Sequence, residues 1–156
     1  MARPKNTVWQ RYKFKLSALV LVLPWIFLYQ QLNPSFLDAW DTKTLGPFEV
    51  TPMPYDLEQP YAHHDEFVKD FLLMFPQGDI QQIRQGYVSI GAEPIPLGHL
   101  QQGEEGILHG SRHSQHVHSI APVTISATDK LWVQVELWNG DTHTTAWDIP
   151  ESLLAN

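Results

Sequence analysis

Four histidines fall within ten positions of this chain, His109, His113, His116 and His118 in the run HGSRHSQHVH, out of eight in all. A neutral imidazole nitrogen is a good ligand for copper(II), nickel(II) and zinc(II), so the first chemistry this spacing offers is coordination of a transition metal. On an extended strand His116 and His118 project from the same face. His109 and His113 lie in a Gly- and Ser-bearing segment able to fold back toward them, which makes three or four nitrogens available to one ion, with copper favoured. Because only the neutral ring binds, occupancy should fall as the pH drops through about 6.5. The competing account is plain: Arg112 stands inside the cluster, and histidines also serve as ordinary polar residues on exposed strands.

A second group, His63-His64-Asp65-Glu66, adds His63 and His64 as possible further ligands if the fold brings them close. Met53, between Pro52 and Pro54, is a possible soft ligand, whereas Met74 sits in the apolar run FLLMF and reads as core. Cysteine is absent, which excludes disulfides, thiolate zinc sites and iron–sulfur clusters together. No phosphate loop, zinc-protease helix or Ser in a strand-turn-helix G-x-S-x-G context occurs, so catalysis is not expected.

Asn139-Gly140 between two alternating runs is a strong hairpin signal. A two-residue turn there would pair Glu136 with His143 and Trp132 with Trp147. One face of the first strand then carries Leu131, Val133, Val135 and Leu137, and the other Trp132, Gln134, Glu136 and Trp138. An exposed face bearing Trp132, Trp138 and Trp147 more often marks a partner surface than catalysis, so docking on a larger membrane complex is the alternative to metal handling.

These residues need elements to hold them. With 43% apolar and 12% aromatic residues in 156, the chain has enough material for one packed core. Five of its ten basic residues, Arg3 to Lys15, precede an apolar run beginning at Leu16. The other five stand against all seventeen acidic residues, giving the downstream part a formal charge of −12 with histidines neutral. That field repels nucleic acid and suits a cation.

The run LSALVLVLPWIFLY has no charge, ends in Trp25 and Tyr29, and continues uncharged to Leu37. A span needs about 20 mainly apolar residues. A cleaved secretory signal is the rival, but bulky Leu, Phe and Trp follow where a peptidase needs small residues. The reading is therefore a basic cytoplasmic tail at 1–15, a membrane anchor and start of linker at 16–37, a linker at 38–45, and an extracytoplasmic β-rich domain at 46–156. By the positive-inside rule the domain lies in the periplasm, on a single-pass inner-membrane anchor.

Within the domain, 47–51 and 87–91 alternate at period two, 117–125 is β-prone around Pro122, and Phe67, Val68, Phe71, Leu72 and Phe75 follow helical spacing. Several short strands with one short helix predict a mainly β fold, a small antiparallel immunoglobulin-like sandwich.

Overall fold

The structure, a computed structural model, describes residues 7–33, 37–111 and 114–154. The chain divides into two compact units, residues 1–36 and 37–156. The first contains α1, Val8–Leu32, which begins ahead of the apolar run so that Arg11, Lys13 and Lys15 lie on its opening turns. The Thr7 hydroxyl accepts from the Gln10 amide at 3.4 Å and starts the helix, and Asn33 closes it on the Tyr29 carbonyl. At 1.5 Å per residue its 25 residues span about 37 Å, more than the ~30 Å hydrocarbon layer. The helix is thus long and apolar enough to cross a bilayer, and none of its side chains is buried.

The second unit is mainly β: β1 Lys43–Leu45, β2 Phe48–Pro54, β3 Tyr61–His63, β4 Glu66–Gln77, β5 Ile83–Gly91, β6 His109–Gly110, β7 Gln115–Ile120, β8 Lys130–Leu137 and β9 Thr142–Asp148. They form one nine-stranded sheet in the order β1-β2-β4-β7-β5-β8-β9, with β3 added to β4 and β6 to β7. The sheet is barrel-like. Its end strands approach one another: the Lys43 ammonium donates to the Ala146 carbonyl at 2.7 Å and the Trp147 indole to that of Asp41 at 2.6 Å. Trp40 donates its amide to Pro52 and β1 starts at Lys43, so the 38–45 stretch expected as linker is part of the β unit.

Neighbouring strands run antiparallel except β5 and β7, which meet in parallel only at Ser89 and Ile120. The gap between them is threaded by the 105–108 segment. Gly106 accepts from Val88 and donates to His118, and Leu108 donates to Gly86. Leu45, Phe48, Val50, Phe71, Leu73, Val88, Val117, Leu131, Val133 and Val135 fill the interior.

The helix expected over 65–75 is strand β4. Phe67, Phe71 and Phe75 recur every fourth residue, a spacing shared by one helix face and one strand face, so periodicity there does not separate the two. Pairing decides: β4 has β2 and β3 on one edge and β7 on the other. The helix of this unit, α2 at Leu97–Leu100, is a single turn elsewhere. Pro52 and Pro54 do not end β2, because β1 covers it only as far as Val50 and the missing amides fall beyond that cover.

The hairpin turn also differs. Gly140 has φ +90° while Asn139 is not in the positive-φ region, so the turn is a three-residue loop with a glycine bulge rather than the two-residue type that needs both. Pairing slips by one residue: Leu131 faces Trp147, Trp132 faces Ala146, and Val135 faces His143. Trp147 is therefore carried into the core, 2% exposed, instead of joining Trp132 on the outside. Glu136 pairs with Arg84 at 2.9 Å and Gln101 at 3.0 Å, not with His143.

Candidate metal centre

Strand alternation and cross-strand register build the site. On β7, Val117 and Ser119 point inward and are buried, which turns His116 and His118 to the outer face. Asp70 of β4 lies directly opposite His118, and His109 of β6 directly opposite His116. Gly110 makes the β6–β7 return possible: its φ is +147°, and a Cβ there would sit 2.5 Å from the Ser114 carbonyl oxygen. Lys69, adjacent to Asp70, points to the other side of the strand, where its buried ammonium pairs with Asp56. Its charge therefore does not face a cation at Asp70.

His118 donates Nδ1–H to Asp70 Oδ1 at 2.6 Å, and His116 Nε2 lies 3.9 Å from the same oxygen. Asp70, His116 and His118 each place a ligand atom within 4.8 Å of the others, a group that could hold a metal ion. Ligand atoms on a tetrahedral ion with bonds of about 2.0–2.1 Å stand roughly 3.4 Å apart. Asp70 and His118 need to part by less than an ångström, His118 Nδ1 to give up the proton it shares with Asp70, and His116 to close by about half an ångström for these atoms to share an ion.

A tautomer chain orients His116. The Ile107 carbonyl accepts from His109 Nδ1–H at 3.1 Å, which leaves His109 Nε2 as an acceptor. His116 Nδ1–H then donates to that nitrogen at 3.2 Å and leaves His116 Nε2, the atom nearest Asp70, with its lone pair. His109 acts here as the outer partner that fixes a ligand ring, an arrangement common around metals. Burial, then the neighbouring His118, lowers the His116 pKa below its ordinary 6.5 despite the opposing pull of Asp70, so this ring stays neutral into more acidic solution. Tyr61 of β3 donates to Asp70 at 3.1 Å, and burial followed by the Asp70 charge raises its pKa, keeping it a donor.

His63 and His64 form a second group. Both donate through Nδ1 to Glu105 Oε1, at 2.8 and 3.0 Å, and the three could likewise hold a metal. The two groups touch, for the His63 ring stacks on that of His118 at 5.0 Å between centroids. Burial alone would raise the Glu105 carboxyl, but the bonds from His64 and His63 outweigh it and hold the pKa below its ordinary 4.5. His64 is raised above 6.5, chiefly by its bond to Glu105.

Linkage gives the consequence. Glu105 adds stability above pH 4.5 that is lost as the pH falls through its depressed value, and His64 adds stability below pH 6.5 that is lost as the pH rises through its raised one. With chelator present, the stability difference between wild type and Glu105→Gln, taken from urea midpoints, is therefore widest between pH 4.5 and 6.5 and narrows on both sides. A difference that fails to narrow both below pH 4.5 and above pH 6.5 contradicts the pairing.

Of the residues singled out in the sequence, His109, His116 and His118 come together, His63 and His64 lie beside them, and His113 lies outside the described residues. Met53 faces Leu72, which in turn faces His116, so it stands two strands, about 10 Å, from that ring. Trp132 is half-buried and donates its indole to the Gly91 carbonyl, while Trp138 is 70% exposed. Asp70, Glu105 and Tyr61 escape sequence reasoning: Asp70 lies in a stretch whose apolar spacing also fits a helix, and the other two carry no spacing signal.

An apolar helix long enough to span a bilayer, joined in one chain to a barrel-like β unit with two histidine–carboxylate groups on its surface, defines the class: a mainly β protein with a helix able to cross a membrane and side-chain groups whose geometry could hold a metal ion. Residues 8–150 match the family described as uncharacterised conserved protein UCP029505, and the chain belongs to that family. No curated protein and no solved structure matches it.

Proposed function

We propose that this chain is a membrane-anchored periplasmic accessory protein that binds a transition metal, copper first among them, on the outer face of β4 and β7 and passes it on. The observation that carries this reading is the convergence of Asp70, His116 and His118 within 4.8 Å. The donor set of imidazoles and a carboxylate suits divalent ions late in the first transition row, where copper(II) binds most tightly. Partial exposure of all three side chains leaves room for loading and release, as delivery requires. The formal charge of −12 beyond the apolar run favours approach of a cation. The role is binding rather than catalysis.

The test is elemental analysis of the full-length protein, extracted in detergent without a histidine tag from copper-supplemented cells. A lower copper content in His116→Ala/His118→Ala than in wild type supports the reading; equal content in the two overturns it. For the anchor, Arg11, Lys13 and Lys15 at the start of α1 favour a cytosolic location for that end by the positive-inside rule. A protease added to intact spheroplasts should digest the β unit; protection until lysis contradicts this topology.

One observation favours a second reading, docking on a membrane complex. Trp138 stays 70% exposed although its indole is fixed by a bond to the Gln81 carbonyl at 3.2 Å. Under this reading Trp138→Ala lowers recovery of the complex with metal content unchanged.

A further inference from the structure

We infer that His63, His64 and Glu105 form a second transition-metal site, so that this face of the β unit holds two ions at once. The inference shares the ion class of the preceding reading and none of its ligands. Adjacent residues on a strand point to opposite faces, yet both imidazoles reach one carboxylate oxygen. The turn between β3 and β4 accomplishes this: His64 has φ +50°, the one positive φ outside glycine among the described residues. A non-glycine side chain there is uncommon, and its effect is to swing His64 back beside His63, their rings 4.3 Å apart.

Glu105 arrives from a distant part of the chain. Its neighbour Gly106 donates to His118 and accepts from Val88, which fixes the carboxylate where the two rings meet, with its side chain only 9% exposed. A nearly buried carboxylate serving two imidazoles has the donor composition of a nitrogen–oxygen metal site. A pocket of about 200 Å³ opens beside these residues, lined by His64, Asp65, Glu66, Glu104 and Glu105 together with Gly103 and Ile120. Four carboxylates around one shallow opening concentrate divalent cations at its mouth.

The stack of His63 on His118 sets the relation between the sites. Each ring belongs to a different group, so the ions lie close, and the second binds more weakly because two cations repel. Ions attracted to the acidic pocket would meet His64 and His63 first, then His118 and His116.

Native mass spectrometry of the full-length chain in detergent, titrated with copper(II), tests this. The expected result is two ions on wild type, one on His63→Ala/His64→Ala, one on Glu105→Gln, one on His116→Ala/His118→Ala, and none when all four histidines are replaced. Glu105→Gln retains the side-chain shape and covers the case in which the double alanine variant misfolds. A single ion on wild type, or two retained in Glu105→Gln, overturns the inference. If a single ion disappears only with His116 and His118, the preceding reading survives its loss; if it disappears only with His63 and His64, that reading falls too.

Discussion

Replacing His116 and His118 together by alanine should sharply reduce the rise in melting temperature that copper(II) gives the full-length chain, leaving only the smaller part that His63, His64 and Glu105 supply. A ligand present at about a hundred times its dissociation constant stabilises the folded state by roughly 2.7 kcal/mol. For a β unit of this size that corresponds to a shift of about 10 °C. The variant loses two of the three groups of this site, and the remaining Asp70 carboxylate alone is a weak, half-buried ligand. Both rings are partly exposed, so the metal-free melting temperature should change little. Differential scanning calorimetry with and without copper(II) reads both quantities. A shift undiminished in the variant contradicts the assignment of these histidines.

Trp147→Ala should be the most damaging change in the β8–β9 hairpin, costing about 3–5 kcal/mol by loss of a buried indole and the cavity left behind. Trp147 lies opposite Leu131 inside the unit and ties β9 to the 38–45 stretch through Asp41. Trp138→Ala, at the exposed tip, should stay within about 0.5 kcal/mol of wild type. Urea denaturation of the two variants separates them; comparable stability would mean that the one-residue slip of this hairpin is misplaced.

That slip shows where sequence reasoning stopped. The β8 pattern was legible because strict alternation specifies which residues face inward, and Leu131, Val133, Val135 and Leu137 are buried as expected. The position of its partner depends on the backbone of a single residue, Asn139, and Asn-Gly serves both two- and three-residue turns. The apolar helix and the predominance of strands were likewise readable, from charge-free length and from β-branched, aromatic runs. The closure of the strands into one barrel-like sheet was not, because it rests on contacts between residues a hundred positions apart, such as Lys43 with Ala146.

The site was legible in the same partial way. His116 and His118 share a face because they are two apart on a strand. Asp70 was hidden because Phe67, Phe71 and Phe75 fit a helix as well as they fit β4, and only register places it against His118. Glu105 lies in an irregular stretch whose course is set by backbone bonds to Val88 and His118, and no local pattern announces it. His63 and His64, two adjacent histidines that a plain strand would separate, converge through one turn residue in an uncommon conformation.

Electron paramagnetic resonance of the full-length chain, prepared without a histidine tag and loaded with less than one equivalent of copper(II), bears most directly on whether the outer face of β4 and β7 holds a metal. The spectrum should carry imidazole nitrogen couplings in wild type, change in His116→Ala/His118→Ala as the ion is left to His63, His64 and Glu105, and change in Asp70→Asn. A spectrum identical in wild type and in both variants would contradict the account.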